Sequence, residues 1–236
     1  MSSDRVVVLT AMPVELRPVV RALSLQRAPA SGAAAYRGRV ATTEVVAAAT
    51  GIGTALATAT TERMLADGAD HVLMVGIAGG IDPALAIGDV VTPTDALSGV
   101  TGGRYPAHGV GTDRLRGTVH TSDELVIDPE VIAGLLAQGV VALDMETAAV
   151  AAVCAARRCP WSAYRAISDR PDDGILDDDL LGLARPDGSA DAGAAVRLLL
   201  RRPATLPRML RLARGTQRAV AAAAAAAARS VHVLAH

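Results

Sequence analysis

Two apolar, β-rich runs of this sequence each end in a carboxylate. The first is residues 141–146 (Val-Ala-Leu-Asp-Met-Glu), and the second is residues 164–169 (Tyr-Arg-Ala-Ile-Ser-Asp). The segment between them, 147–158, has helical periodicity, so the pattern predicts two strands joined by a helix, with Glu146 and Asp169 at one sheet edge. Ligands of open α/β sheets bind at the carboxyl ends of strands. Two acids at such an edge indicate a site where one binds hydroxyl groups and the other supplies a proton.

The rest of the chain repeats this alternation of strand and helix patterns. Short apolar runs bounded by Gly, Asp or Pro predict strands at 5–9, 44–49, 71–75, 87–92, 115–119, 139–143 and 162–167. Apolar residues spaced three and four apart predict helices at 13–22, 54–66, 129–137, 147–158, 192–202 and 207–229. Such alternation predicts an α/β fold with a parallel or mixed sheet covered by helices.

The length of 236 residues and the 51% hydrophobic content are sufficient for one core, so we expect a single domain over 1–236. A C-terminal helical extension is expected from about residue 192. Residues 93–114 are rich in Gly, Pro, Thr and Asp, which predicts a long active-site or interface loop. The aspartate-rich stretch 170–191 is typical of a solvated loop.

Charge and composition exclude several function classes. The formal net charge of −1 offers no electrostatic reason to bind nucleic acid, so the expected ligand is a small molecule. The two cysteines, Cys154 and Cys159, lack metal-like neighbours and predict reduced packing residues, and we expect no metal and no cofactor. The N-terminus is unlike a signal peptide and no apolar run is long enough for a bilayer, which predicts a cytoplasmic protein.

Three further segments combine turn chemistry with polar groups. Glu15 lies in the first turn of the helix after the first strand, where an acid can be catalytic or can simply complement the helix dipole. Residues 50–54, which include Ile52 and Gly53, open the next helix, and their free N–H groups can hold an anion or a sugar oxygen. The small residues at 76–80 would let a ligand lie against the backbone, although turn geometry alone also explains them.

These motifs, taken in order, resemble those of the purine nucleoside phosphorylase and nucleosidase superfamily, especially the methylthioadenosine/S-adenosylhomocysteine nucleosidases. The resemblance extends over residues 5–170 and rests on the segments 11–15, 50–53, 76–80 with 87–91, 143–149 and 165–169. It implies a single-domain three-layer α/β/α sandwich around a mixed, partly barrel-like sheet. It also implies a homo-oligomer, with a dimer favoured.

The resemblance implies a role for each acid. Asp169 would protonate N7 of a purine, Glu146 would bind the ribose hydroxyls with Met145 packing on the sugar, and Glu15 would activate the attacking water. A proton at N7 improves the leaving base, and a positioned general acid contributes roughly 10²–10⁴-fold. Arg165 would orient a carboxylate, and the remaining expected substrate contacts are Ile52, Gly53, Ile77, Ala78, Gly79, Leu125 and Ser168.

Two departures from the family pattern bear on the substrate. Leu125 stands where nucleosidases place an aromatic residue over the base, and Ile77 replaces a small polar residue, so the pocket is expected to be more apolar. No arginine lies in the family's phosphate motif, and the Glu15 carboxylate would repel a phosphate dianion. Hydrolysis is therefore preferred over phosphorolysis, which remains the alternative.

The C-terminal segment adds a second resemblance. Arg208, Arg211, Arg214 and Arg218 recur at helical spacing, with Leu206, Met209, Leu210 and Ala213 on another face. This segment, with 199–203 (Leu-Leu-Arg-Arg-Pro), resembles the hopanoid-associated phosphorylase branch, which releases adenine from adenosylhopane. The resemblance implies an apolar 5′ substituent and peripheral membrane contact through the basic face. A methylthioadenosine/S-adenosylhomocysteine or futalosine nucleosidase, a non-catalytic nucleoside-binding module and a solvated basic face remain alternatives.

Overall fold

The computed structural model describes residues 4–28, 35–170 and 206–236, with the side chains of 206–212 left undescribed. The helices are α1 (Pro13–Ala22), α2 (Thr54–Met64), α3 (Pro129–Ala137), α4 (Thr147–Arg157) and α5 (Leu206–Leu234). The strands are β1 (Arg5–Thr10), β2 (Gln26–Ala28), β3 (Ala35–Val40), β4 (Thr43–Ala49), β5 (His71–Gly80), β6 (Val90–Val91), β7 (Asp95–Ser98), β8 (Arg104–Pro106), β9 (Thr118–Thr121), β10 (Val140–Asp144) and β11 (Trp161–Asp169).

The strands of the described residues form one mixed sheet in the order β2-β3-β4-β1-β5-β10-β9-β7-β8. The strand β5 is the centre of this sheet because it pairs with β1 and β11 in parallel and with β10 in antiparallel orientation. The strand β11 branches from β5 and also pairs with β6. The sheet therefore has free edges and is not a closed barrel.

Helices cover both faces of the sheet, as the alternation of the strand residues requires. Val6 and Val8 belong to the core beneath α1 and α5, whereas Val7 and Leu9 belong to the core beneath α2 and α4. Successive side chains of a strand point to opposite faces, so a strand that is buried on both sides reads as a continuous apolar run. The predicted three-layer α/β/α arrangement with a mixed sheet is confirmed.

The main differences from the predicted elements lie in the loops and in the strand lengths. Residues 93–114 contain the strands β7 and β8, so the prediction of one long loop was wrong. The strand pair β2 and β3 was missed, because the alternating exposure of β3 resembles a polar loop in sequence. The predicted strand 87–92 is reduced to the two residues of β6, and β9 begins three residues later than predicted.

The C-terminal helix α5 packs a face rich in alanine into the sheet. Ala219, Ala223, Ala227 and Val231 are fully buried, and alanine lets the helix approach the sheet closely. Ala213 is exposed, contrary to its predicted place on the apolar face, and Arg214 and Arg218 are exposed as predicted. The predicted helix 192–202 and the stretch 171–191 lie outside the described residues, as do the side chains of Leu206, Arg208, Met209, Leu210 and Arg211.

A buried hydroxyl network attaches α5 to the central sheet. The Ser230 hydroxyl donates to the Tyr164 hydroxyl at 2.5 Å, and the Tyr164 hydroxyl donates to Asp113 Oδ2 at 2.5 Å. Tyr164 lies on β11 beside Arg165, so this network fixes α5 and the loop around Asp113 against the strand that ends in Asp169. No helix of the described residues is long and apolar enough to cross a membrane.

Candidate active site

The two carboxylate-ending strands meet at one glycine. On β5, Gly79 pairs with Asp169 of β11 on one side and with Leu143 of β10 on the other. The strand β10 is antiparallel to β5, and the two strands pair over two residues at their C-terminal ends. The ends of β10 and β11 therefore lie on either side of Gly79, which brings Glu146 and Asp169 to one edge of the sheet, as predicted.

A cavity of about 270 Å³ opens at this edge. Most of the residues predicted from the sequence line it, namely Glu15, Ile52, Ile77, Ala78, Gly79, Leu125, Met145, Glu146, Ser168 and Asp169. Gly53 and Arg165 are the two that do not line it. The three predicted catalytic acids thus surround a single space whose walls are otherwise largely aliphatic.

Glu15 closes one side of the cavity and is held by the backbone. Its two carboxylate oxygens accept hydrogen bonds of 2.8 Å from the N–H groups of Met12 and Ile77. Burial raises the pKa of Glu15, while the nearby Arg165 and these N–H donors oppose the rise. A buried carboxylate with a raised pKa is better matched to proton transfer near neutral pH than an exposed one.

Glu146 also lines the cavity and is almost completely buried. Its Oε1 accepts from the Gly53 N–H at 3.0 Å, and its Oε2 accepts from Arg165 Nη2 at 2.9 Å. Burial raises the pKa of Glu146 to about 7, with Arg165 opposing the rise and Asp144 adding to it. The carboxylate therefore has a fixed orientation and a weak preference between its two protonation states at neutral pH.

Arg165 is the buried cation that organises these acids. Its Nε donates to Asp144 Oδ2 at 2.7 Å, its Nη2 bonds Asp144 and Glu146, and its Nη1 lies beside Glu15 over Gly76. A planar guanidinium suits this task, since its donors point in several fixed directions at once. Because Arg165 lies behind the cavity wall, it positions carboxylates as predicted and is not a direct substrate contact.

Most of the N–H groups of the loop at 50–54 are bonded within the chain. The Gly53 N–H is bonded to Glu146, and the Thr54 N–H donates to Asp123 Oδ1 at 2.8 Å. The start of α2 is therefore occupied by two carboxylates of the chain itself, which suit the positive end of a helix dipole. The prediction of Gly53 as a substrate-binding residue is corrected to that of a residue that holds Glu146.

Asp169 lies at the end of β11. The Ser168 hydroxyl donates to Asp169 Oδ1, and both residues line the cavity. A side chain at position 79 would meet Asp169 Oδ2 at 3.5 Å, so the glycine leaves the space above it open to a ligand. This arrangement places the Asp169 carboxyl group next to a cavity floor made of small residues.

Sequence reasoning missed several residues that line the cavity, and two of them matter most for its polar contacts. Asp144 accepts hydrogen bonds from Thr121 Oγ1 at 2.5 Å and from the hydroxyl of Thr147, and it also bonds Arg165. The sequence signal for Asp144 is that it directly follows the apolar run 140–143. Glu146, two residues later, fits the same pattern, so the sequence alone does not separate the roles of the two acids. The other of these two residues is His120, which lines the cavity and lies in a run that was considered only for Leu125.

The described residues contain no group of three or more His, Cys, Asp or Glu side chains that could hold a metal ion. Cys154 and Cys159 are both free, in agreement with their predicted packing role.

Comparison with known proteins identifies relatives over most of the chain. The phosphorylase superfamily model matches residues 5–133 and 106–201. The chain is 31% identical to a 5′-methylthioadenosine/S-adenosylhomocysteine nucleosidase of Anoxybacillus flavithermus over 165 residues, which cover 57% of this chain and 71% of that protein. A nucleosidase of the same description from Tolumonas auensis is 29% identical over 170 residues, covering 59% and 74%.

Solved structures share the fold at lower identity. The 5′-methylthioadenosine/S-adenosylhomocysteine nucleosidase of Helicobacter pylori superposes with a TM-score of 0.73 and 18% identity, covering 98% of this chain and 99% of that chain. The futalosine hydrolase of the same organism superposes with a TM-score of 0.71 and 18% identity, covering 97% of both chains.

The mixed sheet, the three acids around one cavity and the sequence relatives define a purine nucleosidase, an enzyme that cleaves an N-glycosidic bond. The chain belongs to the phosphorylase superfamily.

Proposed function

We propose that this protein hydrolyses the N-glycosidic bond of an adenine nucleoside that carries a large or apolar 5′ substituent, with adenosylhopane as the favoured substrate. The observation that carries the proposal is the convergence of Glu15, Glu146 and Asp169 on one cavity. Asp169 protonates N7 as the base leaves, Glu146 binds the ribose hydroxyls, and Glu15 takes a proton from the attacking water. The negative charge of the acids also stabilises the cationic ribosyl centre that develops.

The polarity of the cavity supports water as the nucleophile. Inorganic phosphate needs arginine or lysine side chains, and none of the described residues lining this cavity is either. Arg17, Arg37, Arg39 and Arg104 are exposed on the surface and do not line it. A phosphate dianion would therefore enter a space bordered by Glu15 and Glu146 without a compensating cation at the wall.

The walls of the cavity support an apolar 5′ substituent. Ile77 and Leu125, the two departures from the family pattern, both line it. A second cavity of about 480 Å³ shares the wall of residues 122 and 124–127 with the first. This second cavity is lined by four exposed apolar residues, Leu125, Ile127, Val100 and Val131. An apolar 5′ substituent that extends from the first cavity into the second would shield these side chains from water.

The test is release of the free base from adenosine, 5′-methylthioadenosine, S-adenosylhomocysteine, futalosine and adenosylhopane, each with and without inorganic phosphate. We expect phosphate-independent release with the highest kcat/KM for the apolar 5′ substituent. A strict need for phosphate would make the enzyme a phosphorylase. A preference for 5′-methylthioadenosine, or for futalosine with release of hypoxanthine, would identify that nucleoside as the substrate in place of adenosylhopane.

The Asp169→Asn variant separates an enzyme from a nucleoside-binding module. The amide cannot supply the N7 proton, so turnover should fall by at least about 10²-fold while ligand affinity changes little. Binding is measured by calorimetry with a non-hydrolysable nucleoside analogue. A wild-type protein that binds nucleosides but releases no base from any of them would support the binding-module alternative.

Two further parts of the proposal concern partners. We infer a homodimer, as the resemblance to the nucleosidases implies, and light scattering of the purified protein decides between one and two copies. We also infer peripheral membrane contact through the exposed Arg214 and Arg218 on α5. Sedimentation with phosphatidylglycerol vesicles tests it, and Arg214→Glu with Arg218→Glu should abolish the pelleting.

A further inference from the structure

Four residues that line the cavity form one row across the sheet. Asp169 pairs with Gly79, Gly79 with Leu143, and Leu143 with His120. Register partners on neighbouring strands project to the same face, and all four residues line the same cavity. Asp169 and His120 therefore stand at the two ends of a row whose middle is Gly79 and Leu143.

The length of this row suits a planar bicyclic base. Three strand spacings separate the Cα atoms of Asp169 and His120, which amounts to about 14 Å along the sheet. That span accommodates a purine together with a hydrogen bond at each end. Since Asp169 takes the five-membered ring at N7 in the proposed function, the six-membered ring lies over Leu143 and faces His120.

The imidazole of His120 has an unusual hydrogen-bonding state. Its Nδ1 is buried and has no hydrogen-bond partner among the described residues. Burial lowers the pKa of His120, against the attraction of Asp144, so the ring is predominantly neutral at physiological pH. Position 99 must be glycine, because a Cβ there would lie 2.8 Å from both Cε1 and Nε2 of the ring.

The missing partner of Nδ1 favours one tautomer of the neutral ring. A buried N–H without an acceptor is a rarer and costlier state than a buried acceptor without a donor. The neutral ring therefore carries its proton on Nε2, and this nitrogen becomes a donor. The edge of the ring that carries Nε2 contacts Gly99, which borders the second cavity, and the side chain lines both cavities.

We propose that His120 is a base-recognition residue, whose Nε2–H donates a hydrogen bond to a ring-nitrogen acceptor, N1 or N3, of the purine six-membered ring. This inference rests on the proposed function for the position of the base. It assigns a specificity role to a side chain that the sequence reasoning passed over.

The test combines side-chain variants with substrates that lack one acceptor. kcat/KM for adenine release is measured with adenosine, 1-deazaadenosine and 3-deazaadenosine, for the wild type, His120→Ala and His120→Gln. We expect His120→Ala to lose about threefold to tenfold on adenosine and almost nothing on the analogue that lacks the bonded nitrogen. His120→Gln, whose amide NH₂ can donate from a similar distance, should recover part of the loss.

The controls separate recognition from structure. Exposed His232 provides a matched control, since His232→Ala should leave all three substrates unchanged. An equal loss on all three substrates would overturn the proposal in favour of a packing role. A loss that follows the 5′ substituent, measured with adenosine against 5′-methylthioadenosine, would place His120 at the 5′ group and overturn it as well.

Calorimetry with free bases distinguishes failure of this inference from failure of the proposed function. If the wild type cleaves no nucleoside, the proposed function fails, but adenine should still bind more tightly than one of its two deaza analogues. His120→Ala should remove that difference. Equal affinity of the wild type for adenine, 1-deazaadenine and 3-deazaadenine would contradict the hydrogen bond irrespective of turnover, and also if His120→Ala did not fold.

Discussion

Replacing Glu146 by glutamine should change the pH dependence of stability in a way that can be calculated from the site. The carboxylate is nearly completely buried, and its pKa is raised from an ordinary 4.5 to about 7 because burial outweighs the attraction of Arg165. An acid whose pKa is raised by folding binds its proton more tightly in the folded state than in the unfolded state. The folded state is therefore favoured below pH 4.5, and this advantage is lost as the pH rises towards about 7.

The magnitude follows from the same two values. Each factor of ten in proton affinity corresponds to about 1.4 kcal/mol, so the wild type should lose roughly 2 to 3 kcal/mol from this group between pH 5 and pH 8. The glutamine variant does not titrate at this position and should not show that loss. The amide also places an N–H donor near the donors of either Arg165 or Gly53, which destabilises the variant. This loss of stability is the same at both pH values, so it cancels in the comparison.

The assay is urea unfolding of wild type and Glu146→Gln at pH 5 and pH 8, with adenine release measured in parallel. We expect the variant to gain roughly 2 to 3 kcal/mol relative to wild type on going to pH 8, and to be nearly inactive. The exposed Glu62→Gln is the matched control and should show no such gain. A gap between variant and wild type that changes by less than about 1 kcal/mol would refute the reasoning that burial dominates at Glu146.

Two other substitutions test the support of the site. Gly76→Ala should lower both thermal stability and kcat/KM, since the added Cβ would lie 2.7 Å from Arg165 Nη1 and would also collide with Glu15. The matched control is Gly134→Ala on α3, where nothing lies within 4 Å of the added Cβ. This control should be neutral or stabilising in the same thermal and kinetic measurements. Asp144→Asn should lower the free energy of unfolding in urea by about 2 to 4 kcal/mol and raise KM, because Arg165, Thr121 and Thr147 lose a charged acceptor. Unchanged stability and kinetics would show that Arg165 is held by Glu146 alone.

Much of the site could be predicted because its chemistry is concentrated at strand ends. Asp169 and Glu146 each follow an apolar run directly, and this position relative to the strand carries over to the sheet edge. Glu15 could be proposed for the same reason, since it follows β1 by one helical turn. The covering of the sheet by helices could also be predicted, because the central residues of β1 and β5, 6–9 and 72–75, are apolar.

The remaining features depend on contacts between residues that are far apart in sequence. The bond from Gly53 to Glu146 joins residues 93 apart, and it reverses the expected use of the loop at 50–54. The role of Asp144 was hidden because it lies two residues before Glu146, and only the position of the Arg165 guanidinium separates their tasks. The strands β2, β3, β7 and β8 are short or half-exposed, so their pairing partners and not their own composition make them strands.

The sequence by itself determined the α/β class and the order of the main strands and helices, and it singled out the three acids, since hydrophobic periodicity and strand-end position are local properties of the chain. The tertiary structure decided which groups those acids meet. It decided that β10 and β11 end at the same glycine, that Arg165 lies behind the wall, and that His120 stands in one row with Asp169. Burial, and hence the raised pKa values of Glu15 and Glu146, is a property of the assembled site, because desolvation depends on every neighbour that excludes water.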